Sequence, residues 1–276
     1  HMTNSWREAP EPDHMKISPM GWIRVGLRGI PLAIIIISGL LILLTIRLIE
    51  RPLFGLRRPW TPYITQCVCR SSFVILGMGY ERVGSPMQGA GAVVANHSSW
   101  LDIFALNASK RIYFVSKAEV AEWPVIGWLA RATGTVFIKR DHREASLQID
   151  VFRTRLSAGH KLLFFPEGTS TDGKQVLPFK STLFAAFFAP ILAEKIRLQA
   201  VTLHYSPPKG TSLQFYGWWG DMDFTPHFLA TLAASKQGSV TIIYHPPLKL
   251  TDFANRKILA KTLEDQVRSG LPHRVE

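Results

Sequence analysis

The longest break in the alternation of apolar and polar positions lies near the start of the chain. Gly29 to Ile46 is a run of 18 residues without a charge, bounded by Arg28 and Arg47. As a helix it measures about 27 Å at about 1.5 Å per residue, close to the roughly 30 Å of a hydrocarbon core. Such a helix is apolar on every side and carries Arg at both ends, the pattern of a membrane-embedded segment. A second apolar stretch, Tyr63 to Gly79, is interrupted only by Gln66 and Arg70. It is placed to fold back against the first as a hairpin in one leaflet. A single crossing is the other arrangement this length permits.

After Glu81 the pattern changes to short apolar runs alternating with amphipathic stretches. Strands are predicted at Ala90–Asn96, Ile112–Ser116, Thr135–Ile138, Lys161–Phe165, Leu198–His204, Ser212–Tyr216 and Val240–His245. Helices are predicted at Trp100–Ala108, Val125–Ala132, Arg143–Ser157, Ser181–Leu192, Pro226–Ala234 and Asp252–Arg268. The alternation argues for an α/β fold, a mixed sheet flanked by helices, behind a membrane-embedded helical segment. The expected organisation is a tail over 1–28, a membrane-associated helical region over 29–80 and an α/β domain over 81–276. Trp123, Val125, Ile126 and Trp128 read as core first, and as an interfacial patch second.

Charge sharpens this picture. The 276 residues carry a net charge of +12, with 47% hydrophobic and 19% charged residues, which excludes a disordered chain. Lys16 to Arg70 holds eight basic residues against the single acid Glu50, beside the apolar run. That placement favours anionic headgroups over nucleic acid, for which no signature appears. Cys67 and Cys69 are too few for a disulfide framework or a Cys-rich metal module.

Several familiar motifs fail on spacing. Gly168-Thr169-Ser170-Thr171-Asp172-Gly173 misses the nucleophile elbow by one residue, and Gly77-Met78-Gly79 lacks the third glycine of a dinucleotide fingerprint. What stands out is Asn96-His97-Ser98-Ser99-Trp100-Leu101-Asp102, directly after a predicted strand. With Ser98 as the cap of the next helix, His97 is N′ and Asp102 is N4, two positions that meet in a staple. An imidazole against a carboxylate there is a general base with its orienting acid. A satisfied histidine beside an acid that favours the helix dipole fits the same spacing. No third ligand suggests a metal. Phe164 to Ser170 puts Glu167, Gly168 and Thr169 at a strand's C-terminal end, where open α/β sheets bind ligands, or simply forms a turn with a capping Glu. Gly134 to Arg140 delivers the cations Lys139 and Arg140 at another strand end, suited to a phosphate or to solvent.

Taken together these residues resemble the glycerolipid acyltransferase family, specifically bacterial 1-acylglycerol-3-phosphate acyltransferases. Four blocks occur in the family's order, at Asn96–Asp102, Gly134–Arg140, Phe165–Thr169 and Leu198–His204, and the likeness spans most of Val83 to Tyr205. The resemblance implies transfer of an acyl group from acyl-CoA or acyl-carrier protein, as co-substrate, to the free hydroxyl of 1-acylglycerol-3-phosphate to give phosphatidic acid, with no cofactor. It also adds an acyl channel to the readings of Trp123, Val125, Ile126 and Trp128. It implies His97 as base and Asp102 as its orienter. It further implies Arg140 and Lys139 on the acceptor phosphate, and Glu167 and Gly168 shaping the acceptor site. The expected setting is the inner membrane, with the catalytic domain facing the cytoplasm where acyl donors are. Two departures stand out: Ser170 replaces an Arg common in the family, and Ala200 replaces a Pro of the fourth block. The first keeps a different acceptor open, such as lyso-ornithine lipid. A membrane lipid-binding protein without activity is the remaining alternative.

Overall fold

A computed structural model describes residues 5–139 and 141–272. The sheet comprises β1 (Gly79–Val83), β2 (Gly91–Ala95), β3 (Tyr113–Lys117), β4 (Val136–Ile138), β5 (Lys161–Phe164), β6 (Arg197–Ser206), β7 (Ser239–Tyr244) and β8 (Leu248–Lys249). The helices are α1 (Pro19–Phe54), α2 (Thr61–Leu76), α3 (Leu101–Ser109), α4 (Ile126–Ala132), α5 (Ala145–Ser157), α6 (Pro190–Ala193), α7 (Phe224–Ala233) and α8 (Arg256–Ser269). Strand order is β1-β7-β6-β2-β5-β3-β4, with β8 beside β6. The block from β6 to β4 is parallel, while β7 and β8 run antiparallel to β6. This is the mixed, helix-flanked sheet expected.

The apolar run of β2 has no polar alternation because both of its faces are covered. Val93 and Ala95 enter one core layer with α2 and α3, whereas Ala92 and Val94 enter the other with α5 and α8. The parallel strands β2, β5 and β4 all point their C-terminal ends the same way, carrying the segments that begin at Asn96, Phe165 and Lys139.

The N-terminal region departs most from expectation. Rather than 18 residues, α1 runs for 36, about 54 Å at about 1.5 Å per residue. Ser18 Oγ accepts the Gly21 N–H and Pro19 sits at the helix start, so the helix begins before the uncharged run. Gly55 at φ +61° ends it. The second apolar stretch folds back as α2, and a Cβ at Gly39 would collide with Val68 Cγ2, so glycine permits the close approach. At the bend, Glu50 is fully buried and accepts from Trp60 N (2.8 Å), Thr61 N (2.9 Å), Thr61 Oγ1 (2.7 Å) and Arg47 Nη1 (2.9 Å). Trp60 has no side-chain capping bond, and the Glu50 carboxylate of α1 caps α2 in its place.

The hairpin is fastened to the sheet domain along its length. Arg24 Nε donates to Ala233 O at 2.7 Å and Arg28 Nη1 to Leu232 O at 2.8 Å, covering the C-terminal carbonyls of α7. Arg70 Nε donates to Ala108 O at 2.8 Å at the end of α3, and Arg58 Nη1 to Ala132 O at 2.7 Å at the end of α4.

Two predicted elements differ. Ser212–Tyr216 forms turns instead of a strand, because β2 and β7 occupy both sides of β6 and leave that segment no ladder to join. Ser181–Leu192 is a 3₁₀ stretch over Ser181–Phe188 followed by the single turn α6. Pro190 holds Ala189 extended at φ −58°, ψ 135°, which interrupts one continuous helix. The edge strand β1, mostly exposed, carries no period-two signal and went unpredicted.

Candidate active site

Asn96 extends the β2–β6 ladder with its side chain. Its Nδ2 donates to Leu203 O (3.0 Å) and its Oδ1 accepts from Leu203 N (2.8 Å), so an amide side chain imitates a backbone rung. This rung fixes where the chain leaves the sheet, and His97 follows at once.

His97 is held on every side except one. Its N–H donates to Glu167 Oε1 at 2.8 Å, and its carbonyl accepts from Thr171 N at 3.1 Å. The ring stacks on Phe165 with centroids 4.3 Å apart. Nδ1 lies 2.7 Å from Asp102 Oδ2, the contact the motif spacing predicted. The side chain keeps 21% of its surface exposed, while Asp102 has none. With Nδ1 engaged by a carboxylate, Nε2 is the nitrogen available to a ligand.

The route by which Asp102 arrives differs from the expected capping scheme. Ser98 does not cap α3; the helix starts at Leu101, after Trp100 in helical geometry, and Asp102 stands second in it rather than fourth. The carboxylate reaches back instead. Oδ2 accepts from Ser98 N (2.8 Å) and Ser99 N (3.1 Å) besides the imidazole. A carboxylate is the stronger acceptor, so it rather than the Ser98 hydroxyl organises the turn. Oδ1 accepts from the Tyr205 hydroxyl at 2.5 Å. Burial, then the adjacent Asp102 charge, raises the Tyr205 phenol well above its usual range, which keeps it a donor. Tyr205 was missed in the sequence, although its parity with Val201 and Leu203 along β6 directs it to the layer that contains α3.

Glu167 does not line an open wall. It is 2% exposed, and its second oxygen accepts from Leu177 N at 2.9 Å. Burial lifts its carboxyl to about 7 against the opposing pull of these amides and of His97. Gly168 adopts φ +77°, and a Cβ there would meet Lys180 Nζ at 2.7 Å. Thr169 Oγ1 accepts from Trp6 N and donates to Ser170 O, both at 3.1 Å. The structure therefore gathers His97, Asp102 and Glu167 into one bonded cluster with Gly168 and Thr169 on the same turn. Lys139 is exposed and stands apart from this cluster. It follows β4, which is two places from β5 and three from β2, about 10 and about 14 Å at about 4.8 Å per strand. Arg140 lies outside the described residues.

The family model described as Acyltransferase matches residues 80–199, the span that contains the cluster up to β6. A lyso-ornithine lipid O-acyltransferase of Rhodobacter capsulatus is 54% identical over 267 residues, covering 97% of this chain and 96% of that protein. A lyso-ornithine lipid O-acyltransferase of Brucella abortus is 35% identical over 210 residues, covering 72% and 76%. The crystal structure of the 1-acyl-sn-glycerophosphate acyltransferase from Thermotoga maritima shares the fold, with a TM-score of 0.54 at 22% identity over 76% of this chain and 78% of that one.

Proposed function

The chain belongs to the glycerolipid acyltransferase family and is an acyltransferase of lysolipids, and we propose that its acceptor is lyso-ornithine lipid. The observation that carries this acceptor is the 54% identity to the Rhodobacter protein across nearly the whole of both chains. Ser170, standing where many members have an Arg, agrees with an acceptor that lacks the glycerol phosphate. The acceptor named first from the motifs, 1-acylglycerol-3-phosphate, thus yields to the alternative.

In this reading His97 Nε2 takes the proton of the acceptor hydroxyl as that oxygen attacks the thioester carbonyl of acyl-CoA or acyl-carrier protein. The imidazolium returns the proton to the departing thiol. Asp102, 2.7 Å from Nδ1, holds the tautomer and stabilises the charged ring. A thioester is already activated, so no acyl-enzyme is required. Glu167 acts at one remove, holding the His97 backbone and the Leu177 turn. Tyr205 sets the Asp102 carboxylate with Oδ2 toward the ring. Lys139, exposed just past β4, serves the acceptor's polar head rather than the reacting atoms.

The hairpin supplies the membrane attachment. Met20, Ile23, Leu27, Ile30, Ile34 and Leu41 are exposed along α1, an apolar face too large for water. Yet α1 bonds the domain near its start through Arg24 and Arg28, and Arg58, just past its end, bonds α4. A helix held along a folded domain lies beside it, so the hairpin sits in one leaflet rather than crossing. The leaflet is the cytoplasmic one of the inner membrane, where acyl donors reach the site.

The test is a panel of lyso-ornithine lipid, 1-acylglycerol-3-phosphate and other lysolipids with one radiolabelled acyl donor. Label is expected in ornithine lipid. Faster labelling of phosphatidic acid would reassign the acceptor, and no transfer to any lysolipid would refute the reaction.

A further inference from the structure

Residues 118–132 form a corner where backbone strain accompanies apolar side chains held outside. A 3₁₀ turn (Ala118–Glu122) leads through Trp123-Pro124-Val125 into α4. Four large side chains project from six consecutive residues: Trp123 is 44% exposed, Val125 58%, Ile126 48% and Trp128 64%. They are not the core that their composition suggested.

Val125 is the only non-glycine residue with positive φ among the described residues. At φ +63° and ψ −55°, with Ile126 N donating to Pro124 O at 2.6 Å, it forms a γ-turn of the rare, strained hand. A β-branched residue is the poorest choice for that conformation. The corner around it is stiff. A Cβ at Gly127 would collide with Ala121 O, Gly127 N donates to Trp123 O at 2.9 Å, and Arg131 Nη1 donates to Ala121 O at 3.0 Å. Inside the fold this strain is not offset by burial of Val125, whose side chain faces outward. Strain of this kind accumulates where a surface acts on something else.

We propose that this corner is a second membrane-insertion element, a lip that enters the headgroup–acyl boundary beside the hairpin. It rests on the reading that the hairpin lies in one leaflet. Continuity commits it to that occupant. α4 packs on α1, and Arg58 ties the α4 carbonyl end to the segment after α1. That end of α1 also presents Leu48, Ile49 and Leu53 outward. Two tryptophans flanking aliphatic tips are the side chains that settle at such a boundary. Two insertions, one on the hairpin and one on the sheet domain, set the tilt of the domain on the leaflet.

The experiment uses the full chain on phosphatidylcholine–phosphatidylglycerol vesicles with brominated acyl chains. Replacing Trp128→Phe should remove about one tryptophan's share of the lipid-quenched emission; unchanged quenching would overturn the proposal. This arm needs no turnover, so it stands or falls independently of the acceptor. In the second arm, Trp123→Ser with Trp128→Ser should raise the apparent KM for acceptor in vesicles roughly tenfold, with activity in detergent micelles kept within about twofold. Equal loss in both media would place these residues in an acyl channel and sink the lip. Val125→Gly guards against misfolding, since it relieves the strain. It should melt no lower than wild type yet still bind vesicles more weakly, and wild-type vesicle binding would count against the proposal.

Discussion

The turn at residues 96–102 and the hairpin at residues 19–76 solve opposite problems. In the turn, one buried carboxylate takes four hydrogen bonds, from Ser98 N, Ser99 N, Tyr205 and the His97 ring. Away from water each bond is strong, and any orphaned partner is costly. Position is therefore set by few atoms held tightly. The hairpin exposes most of α1 and buries a narrow stripe of Gly21, Leu32, Gly39, Leu43 and Glu50. Its outer face needs only to be apolar. Precision belongs to the first region and pattern to the second, with Glu50 the place where the hairpin follows the logic of the turn.

Substitutions sharpen or break that contrast. The largest effect belongs to His97→Ala, which should lower transfer by about 10³-fold or more while circular dichroism and membrane binding stay unchanged. Retained activity would remove His97 from the base role. Asp102→Asn keeps the shape but offers the ring and two amides a poorer acceptor, and kcat should fall about 10²-fold. Glu50→Ala orphans two amide donors at the head of α2 and should cost about 2–4 kcal/mol in a urea titration. A loss under about 0.5 kcal/mol would show that the clasp is ornamental.

Tyr205→Phe should slow kcat about 3–10-fold and leave the fold intact. An unchanged kcat would reduce Tyr205 to packing. At the small end, Ile34→Leu on the outer face of α1 should change stability by less than about 0.5 kcal/mol and leave vesicle binding unaltered.

Much of the His97–Asp102 contact was legible without coordinates. His97 and Asp102 are near in sequence, so strand, turn and helix are enough to bring them together. Their partners are not local. Glu167 arrives from the end of β5 and Tyr205 from β6, each by a contact whose sequence separation no motif spacing encodes. Sequence position also misled where geometry was finely balanced. Ser98 has the right side chain to cap α3, yet a carboxylate within reach displaced it from that role.

The chain by itself determined what depends on composition and periodicity: the apolar run between Arg28 and Arg47, the order of most strands and helices after Glu81, and the acid within reach of an imidazole. Tertiary structure decided which faces meet. It laid α1 along the domain, buried Glu167 as a bracket between the His97 and Leu177 amides, and turned Trp123 and Trp128 outward. Periodicity reports only that a side chain is apolar; whether protein or lipid covers it depends on which neighbours fill the space first.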